Sequence, residues 1–170
     1  EDKNIKEFCL LQIKPMVIGT AKKNINISLY KNHKSLVCYS DQVLGDGEIE
    51  EISNIIYVDP TTFQRTKTKQ IAEEIGSLNK KLNSKKSYAL FGPGRWGTSD
   101  PWLGIPVNWK QISNAKIIIE LGIDNLNPDP SYGSHFFQNL TSMHIGYFSI
   151  EKSDYKTIDW NWIDEQKVIK

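Results

Sequence analysis

One histidine, His135, stands where an imidazole could carry a phosphoryl group. It follows Gly133 and Ser134 in the segment DPSYGSHFFQNLTS, residues 129–142, and precedes a run typical of the first turns of a helix. A neutral imidazole is a good nucleophile toward an activated phosphoryl group. The free N–H groups of a helix N-terminus can then hold the anion, with Ser134 (or Ser131) as N-cap and Gly133 allowing a tight turn. A lone histidine near a helix start is more often a hydrogen-bonded structural residue, so both interpretations stay open.

A loop rich in glycine, proline and tryptophan carries a second candidate, Arg95. Glycines and prolines across residues 92–107 predict an irregular path, and Arg95 and Asp100 are its charged side chains. The planar guanidinium could bind a phosphate, or it could pair with Asp100 in a purely structural loop. Three tryptophans are predicted to seal this loop against the domain: Trp96, Trp102 and Trp109.

The same loop contains a spacing that imitates a dinucleotide-binding motif. Glycines spell GxGxxG directly after a predicted strand, and Glu120 lies near the end of the next apolar strand, as in the dinucleotide fingerprint. That motif requires a helix to begin at the loop, and Pro101 and Pro106 exclude a regular helix there. The sequence also lacks GK[ST], so we predict neither a dinucleotide site nor a Walker loop.

Composition limits the remaining function classes. A chain of 170 residues that is 39% hydrophobic predicts one folded domain, or one domain and part of another. The net charge of +1 gives no general case for nucleic acid or an anionic membrane. No apolar run approaches the roughly 20 residues that span a bilayer.

Cys9 and Cys38 lie far apart and predict buried thiols, and no second ligand stands at metal spacing from His135. With Glu1 first and no signal peptide, we expect a cytoplasmic piece of a longer protein.

The order of predicted elements indicates an α/β architecture. Residues 66–83 have the clearest helical periodicity, and a second helix is predicted at about 135–143. Residues 21–34 are predicted to be a linker or an exposed hairpin. Strands are predicted at 8–18, 35–39, 54–58, 87–91, 115–121 and 145–150, with LGDG as a turn after residue 43. The apolar face of the first helix consists of Ile71, Ile75, Leu78 and Leu82, with Ala72 beside them.

The histidine segment resembles the swivelling phosphohistidine domain of the phosphoenolpyruvate synthase, pyruvate phosphate dikinase and phosphotransferase enzyme I family. That domain carries a GG-x-[ST]-[SC]-H-A-A-I signature, a short helix and then a strand, and YGSHFFQNLTSMHIGYFSI is similar. Upstream, TSDPWLGIPVNWKQISNAKIIIEL is similar in order to the family's T-[ST]-P-[DE]-W loop and apolar strand. The segment CLLQIKPM resembles the last strand of the family's ATP-grasp domain, with Gln12, Lys14 and Pro15 matching Q-x-[RK]-P.

The resemblance implies a single swivelling β/β/α phosphohistidine-like domain, preceded by a strand from an ATP-grasp domain. The implied divisions are 1–20 for the ATP-grasp edge, 35–152 for the phosphohistidine-like domain and 153–170 for a tail or the next segment. ATP and Mg²⁺ would act in the full-length protein, and this piece alone would bind neither. His135 would relay phosphate to pyruvate or a similar acceptor, with Ser134, Gly133 and Arg95 holding it.

One alternative comes from a different class of protein. The chain could be a non-catalytic interaction or regulatory domain of a phosphoenolpyruvate synthase-like protein, with His135 structural and the Gly/Trp loop as a recognition surface. A less favoured possibility is a small-ligand module in which Arg95 and His135 bind an anion.

Overall fold

A five-stranded mixed sheet forms the centre of the computed structural model, which describes residues 26–31, 33–44, 48–50, 52–82, 86–123, 140 and 142–168. The strands of this sheet are β1 (Gln42–Leu44), β2 (Ile52–Tyr57), β3 (Ser87–Pro93), β6 (Ala115–Leu121) and β7 (Gly146–Ile150). Their order across the sheet is β1-β7-β6-β3-β2. The last four run parallel, and β1 pairs antiparallel with β7 at one edge. Two short strands, β4 (Arg95–Trp96) and β5 (Gly104–Ile105), form a separate parallel ladder.

The central strand β6 shows why this sequence forms a buried parallel sheet. Its run AKIIIEL is almost continuously apolar, and Ile118 and Ile119 belong to two different core clusters, one on each side of the sheet. A strand that is covered on both faces has no solvent side that would favour alternating polar residues. The strand predicted at 115–121 is therefore confirmed, together with the α/β class.

Helix α2 (Thr68–Leu82) covers one face of the sheet and continues a 3₁₀ turn at Arg65–Lys67. Its predicted apolar face is confirmed: Ala72, Ile75 and Leu82 are buried, and the other two members are partly buried. Asn79 ties this helix to the sheet, because its side-chain oxygen accepts the Tyr88 hydroxyl at 2.9 Å. The same face is covered by the connection from β3 to β6, which includes a 3₁₀ turn at Trp109–Gln111.

The C-terminal segment covers the opposite face. A 3₁₀ helix at Lys152–Thr157 and helix α3 (Trp160–Asp164) follow β7, and Ile158 and Ile163 pack into the second core cluster. The Tyr155 hydroxyl donates to the carbonyl of Gly122, just beyond the end of β6, at 2.6 Å.

The predicted strand at 35–39 is wrong. The backbone there forms no strand with any described segment, and two of its carbonyls accept hydrogen bonds from the C-terminal segment. The Val37 carbonyl accepts the Asp159 N–H at 2.8 Å, and the Tyr39 carbonyl accepts the Thr157 hydroxyl at 3.2 Å. The first strand among the described residues is Gln42–Leu44, which pairs antiparallel with β7.

The other predicted elements have mixed outcomes. Strands β2, β3 and β7 confirm the predictions at 54–58, 87–91 and 145–150 within two residues at each end. In the described part of region 21–34, where we predicted a linker or hairpin, residues Ile27–Tyr30 form one helical turn, α1. The strand predicted at 8–18 lies outside the described residues. Of the helix predicted at 135–143, Leu140 and Ser142 are described as helical.

Cys38 is a free thiol packed against the second core cluster. Burial raises the pKa of this thiol to about 12, so it stays protonated at neutral pH. Cys9 lies outside the described residues.

Candidate functional site

Residues 92–105 form a compact loop at the carboxyl ends of the parallel strands, which we name the Gly/Trp platform. In open α/β sheets this edge is where ligands bind. Gly94 has φ of +73°, a left-handed conformation that favours glycine. Gly104 lies so close to β4 that a Cβ there would be 2.0 Å from the Arg95 carbonyl oxygen. Glycine thus allows β4 and β5 to pair through their backbones.

Trp96 fastens the Gly/Trp platform to the sheet. Its side chain is 3% exposed, and its ring lies so close to Gly92 that a Cβ there would be 2.2 Å from Cζ2. The indole N–H donates to the Ile119 carbonyl at 3.1 Å, and the backbone N–H donates to Glu120 Oε1 at 2.9 Å. The prediction that Trp96 seals the loop is confirmed.

The other two tryptophans behave differently. Trp102 is 66% exposed, so the prediction that it seals the loop is wrong, and the Arg65 guanidinium lies 5.5 Å from the centre of its ring. A local hydrogen bond stabilises the turn that carries Trp102, because the Trp102 backbone N–H donates to the Asp100 carboxylate at 2.9 Å. Trp109 is half-buried and packs against the first core cluster.

Glu120 is a buried carboxylate at the centre of this edge. It is 4% exposed, and its second oxygen, Oε2, accepts the Tyr147 hydroxyl at 2.6 Å. Burial raises the pKa of Glu120 to about 7, although the Tyr147 and Trp96 hydrogen bonds and the Arg95 charge lower it. A carboxyl group with this pKa changes its charge near neutral pH, which is the property expected of a proton-exchanging group.

Arg95 lies directly before the residue that bonds to Glu120. Its side chain is half-buried, and its charge acts on the Glu120 carboxylate. The ion pair with Asp100 is not formed, and the guanidinium makes no hydrogen bond or ion pair with a described residue. A planar cation at this edge that makes no hydrogen bond or ion pair with a described residue is suited to an anion such as phosphate.

The other predicted site residues belong to the histidine segment. His135, Ser134 and Gly133 all lie outside the described residues. In sequence they fall between Ile123, which follows β6 at the platform edge, and Leu140, which is buried in the first core cluster.

Sequence reasoning missed the role of Glu120. We considered it only as the acidic member of a dinucleotide motif. That motif needs a helix to begin at the glycines, and the structure has strand β4 between Gly94 and Gly97 instead. The available signal was the lone carboxylate near the end of the apolar run AKIIIEL. A charge in a strand covered on both faces requires partners.

A concave surface lies at the end of β2. This cleft has a volume of about 230 Å³ and is lined by aromatic rings and two carboxylates. Its polar groups satisfy one another, because Tyr57 donates to Asp164 at 2.8 Å and Asp59 accepts the backbone N–H and hydroxyl of Thr61. The hydrogen bonds from Thr61 and Thr62 lower the pKa of Asp59. Arg95, by contrast, makes no hydrogen bond or ion pair with a described residue, so the Gly/Trp platform is the better candidate site.

Glu120 is expected to make the stability of the protein depend on pH. The folded protein keeps a proton on Glu120 up to about pH 7, whereas an ordinary glutamate with pKa 4.5 loses it earlier. The free energy of unfolding should therefore fall as pH rises from about 4.5 to 7, by on the order of 3 kcal/mol. Glu120→Gln should remove this pH-dependent part of the free energy of unfolding, because glutamine does not titrate.

Chemical unfolding of wild type and Glu120→Gln at several pH values tests this expectation. The stability difference between the two should shift in favour of the variant across that range. Glu73→Gln, at an exposed position on α2, should keep the wild-type pH profile. Parallel profiles for wild type and Glu120→Gln would contradict the assignment.

Comparison with known proteins gives no match to a protein-family model, a curated protein or a solved structure. Within the described ranges, no group of three or more His, Cys, Asp or Glu side chains is placed to hold a metal ion. No helix in the described part of the chain is long and apolar enough to cross a membrane.

Proposed function

We propose that this chain is the phosphoryl-carrier domain of a phosphoenolpyruvate synthase-like phosphotransferase of the cytoplasm. In this proposal residues 35–152 form the swivelling phosphohistidine-like domain, and residues 1–20 are the edge of an ATP-grasp domain. Residues 153–170 are a tail or the start of the next segment. The partners are that ATP-grasp domain and a small acceptor such as pyruvate, and ATP and Mg²⁺ act in the full-length protein.

The proposed reaction has two transfers. The His135 Nε2 lone pair attacks a phosphoryl group of ATP, so that an N–P bond forms as the P–O bond to the nucleotide breaks. The acceptor oxygen then attacks the same phosphorus, and the imidazole leaves with its electron pair. Ser134 and Gly133 would hold the phosphoryl group on the histidine through helix-start amides.

The single observation that supports this proposal most is the position of Arg95. The carboxyl edge of the parallel strands presents a half-buried guanidinium that makes no hydrogen bond or ion pair with a described residue. Glycine geometry and the Trp96 hydrogen bonds hold its backbone in place, so a bound phosphate would not have to order the loop. The similarity of YGSHFFQNLTSMHIGYFSI to the phosphohistidine signature supplies the nucleophile.

Labelling with ATP tests the proposal. The full-length protein incubated with Mg²⁺ and ATP labelled in both its β and γ phosphates should acquire acid-labile, alkali-stable label. A phosphoramidate has this stability, whereas a phosphoserine does not. We expect His135→Ala to lose the label almost completely, since no other residue is proposed to carry it.

His144→Asn is the matched control for this experiment. His144 is exposed and has φ of +54°, a conformation that asparagine tolerates, so the variant should keep the full label. Equal labelling of wild type and His135→Ala would contradict the carrier role, as would the absence of label from both proteins.

Trp102 favours the second candidate function, a non-catalytic interaction or regulatory domain. It places a large apolar ring, 66% exposed, on the Gly/Trp platform. Tryptophan is enriched among the residues that dominate binding energy at protein interfaces. The absence of phosphohistidine in the full-length protein would favour this interpretation over the carrier.

A further inference from the structure

We propose that anion binding at Arg95 is coupled to protonation of Glu120, so that the Gly/Trp platform takes up a proton when it binds a tetrahedral dianion. The ligand class is a doubly charged phosphate group. This inference rests on the part of the proposed function that assigns phosphate binding to Arg95.

The geometry links the two side chains through one peptide unit. Arg95 directly precedes Trp96, whose backbone N–H donates to Glu120 Oε1 at 2.9 Å. The Trp96 indole bonds to the Ile119 carbonyl, which belongs to the residue before Glu120. The backbone of Arg95 is therefore fixed relative to the carboxyl group, and its charge acts on Glu120.

Both charge states of Glu120 fit the surroundings. The Tyr147 hydroxyl, 2.6 Å from Oε2, can donate to a carboxylate and can also accept from a carboxylic acid. Glu120 can therefore gain or lose a proton without leaving a buried oxygen without a hydrogen bond. Because the group is 4% exposed, its charge is screened little by solvent, and nearby charges act on it strongly.

The charges around Glu120 determine the sign of the coupling. Among the described residues, the charged or titratable groups that act on it are the Arg95 guanidinium, from β4, and the Tyr147 phenol, from β7. A dianion on Arg95 offsets the positive charge that favours the carboxylate and adds negative charge nearby. The pKa of Glu120 then rises above its value of about 7, and a proton binds. By reciprocity, protonation of Glu120 strengthens anion binding.

Sulfate titration of the full-length protein tests the coupling. Sulfate is tetrahedral and stays doubly charged across the pH range, so any proton taken up on binding is taken up by the protein and not by the ligand. Isothermal titration calorimetry at pH 7.5, in two buffers with different ionisation enthalpies and constant ionic strength, measures the number of protons taken up. We expect uptake of a fraction of a proton per bound sulfate, and an affinity that falls about fivefold or more between pH 6 and pH 8.

Three variants make the result specific. Glu120→Gln should bind sulfate with no proton uptake and a flatter pH dependence, and Arg95→Gln should lose binding. Lys116→Gln removes an exposed cation near the opposite end of the same strand β6 and should behave as wild type. Binding without proton uptake in wild type, or equal uptake in Glu120→Gln, would overturn the coupling, and so would a lack of binding in wild type.

The two proposals can fail separately. The sulfate experiment measures Arg95 and Glu120 and does not depend on phosphorylation of His135. Coupled sulfate binding in a protein that acquires no phosphohistidine would reject the carrier function alone. Phosphohistidine in a protein whose sulfate binding moves no proton would reject the coupling alone.

Discussion

Replacing Trp96 with alanine is expected to destabilise the protein by about 3–5 kcal/mol, the usual cost of truncating a fully buried large aromatic side chain. The ring is 3% exposed and packs against Gly92 on β3. Its removal would leave a cavity between the Gly/Trp platform and the first core cluster. It would also leave the Ile119 carbonyl without its indole donor. Denaturant unfolding followed by circular dichroism measures the change.

Trp102→Ala is the matched control for Trp96→Ala. Both tryptophans belong to the Gly/Trp platform, but Trp102 is 66% exposed and contacts Arg65 through a cation–π interaction. Its truncation should cost less than about 1 kcal/mol. If the two variants lose similar stability, Trp96 does not fasten the platform as we describe.

The second large effect is expected for Gly104→Ala. A Cβ at this position would lie 2.0 Å from the Arg95 carbonyl oxygen and 2.3 Å from its nitrogen, and neither backbone atom can move without separating β4 from β5. The Arg95 N–H would then lose its bond to the Leu103 carbonyl, now 2.8 Å long. We expect a loss of about 3 kcal/mol in unfolding free energy. Because the displaced residue is Arg95, sulfate binding should weaken as well.

Gly146→Ala separates this effect from the general cost of adding a methyl group to a strand glycine. A Cβ at Gly146 would meet the Cδ1 atom of Ile49 at 2.8 Å, which is the far end of a flexible side chain. That side chain can rotate away, so the cost should stay below about 1 kcal/mol. Equal losses for Gly104→Ala and Gly146→Ala would show that β4 and β5 do not depend on their close backbone approach.

Periodicity and apolar runs predicted most of the described core. Helix α2 follows from the 3.6-residue spacing of its apolar face, and β3 and β6 follow from short apolar runs, because each pattern reflects which side of an element is buried. The prediction of a strand at 35–39 was wrong although the segment is apolar enough to form one. Its carbonyls accept hydrogen bonds from Asp159 and Thr157, more than 100 residues away. The sequence of the segment itself does not reveal partners at that distance.

The candidate site was also predictable from the sequence only in part. Local residue types pointed to Arg95 and to an irregular loop without a following helix, since glycine and proline act through the backbone of their own segment. His135 remains a prediction from its local sequence. That Arg95 lies beside a buried glutamate, and not in an ion pair with Asp100, could not be read from the loop alone.

The sequence determined the α/β class, helix α2, strands β3 and β6 and the glycine loop, because these depend on neighbouring residues along the chain. The tertiary structure decided the surroundings of Glu120. Its partners Trp96 and Tyr147 lie 24 and 27 residues away in sequence, and they meet at one carboxylate only when β3, β6 and β7 stand side by side. Burial by that assembly, a property of no single segment, brings the pKa of Glu120 to about 7.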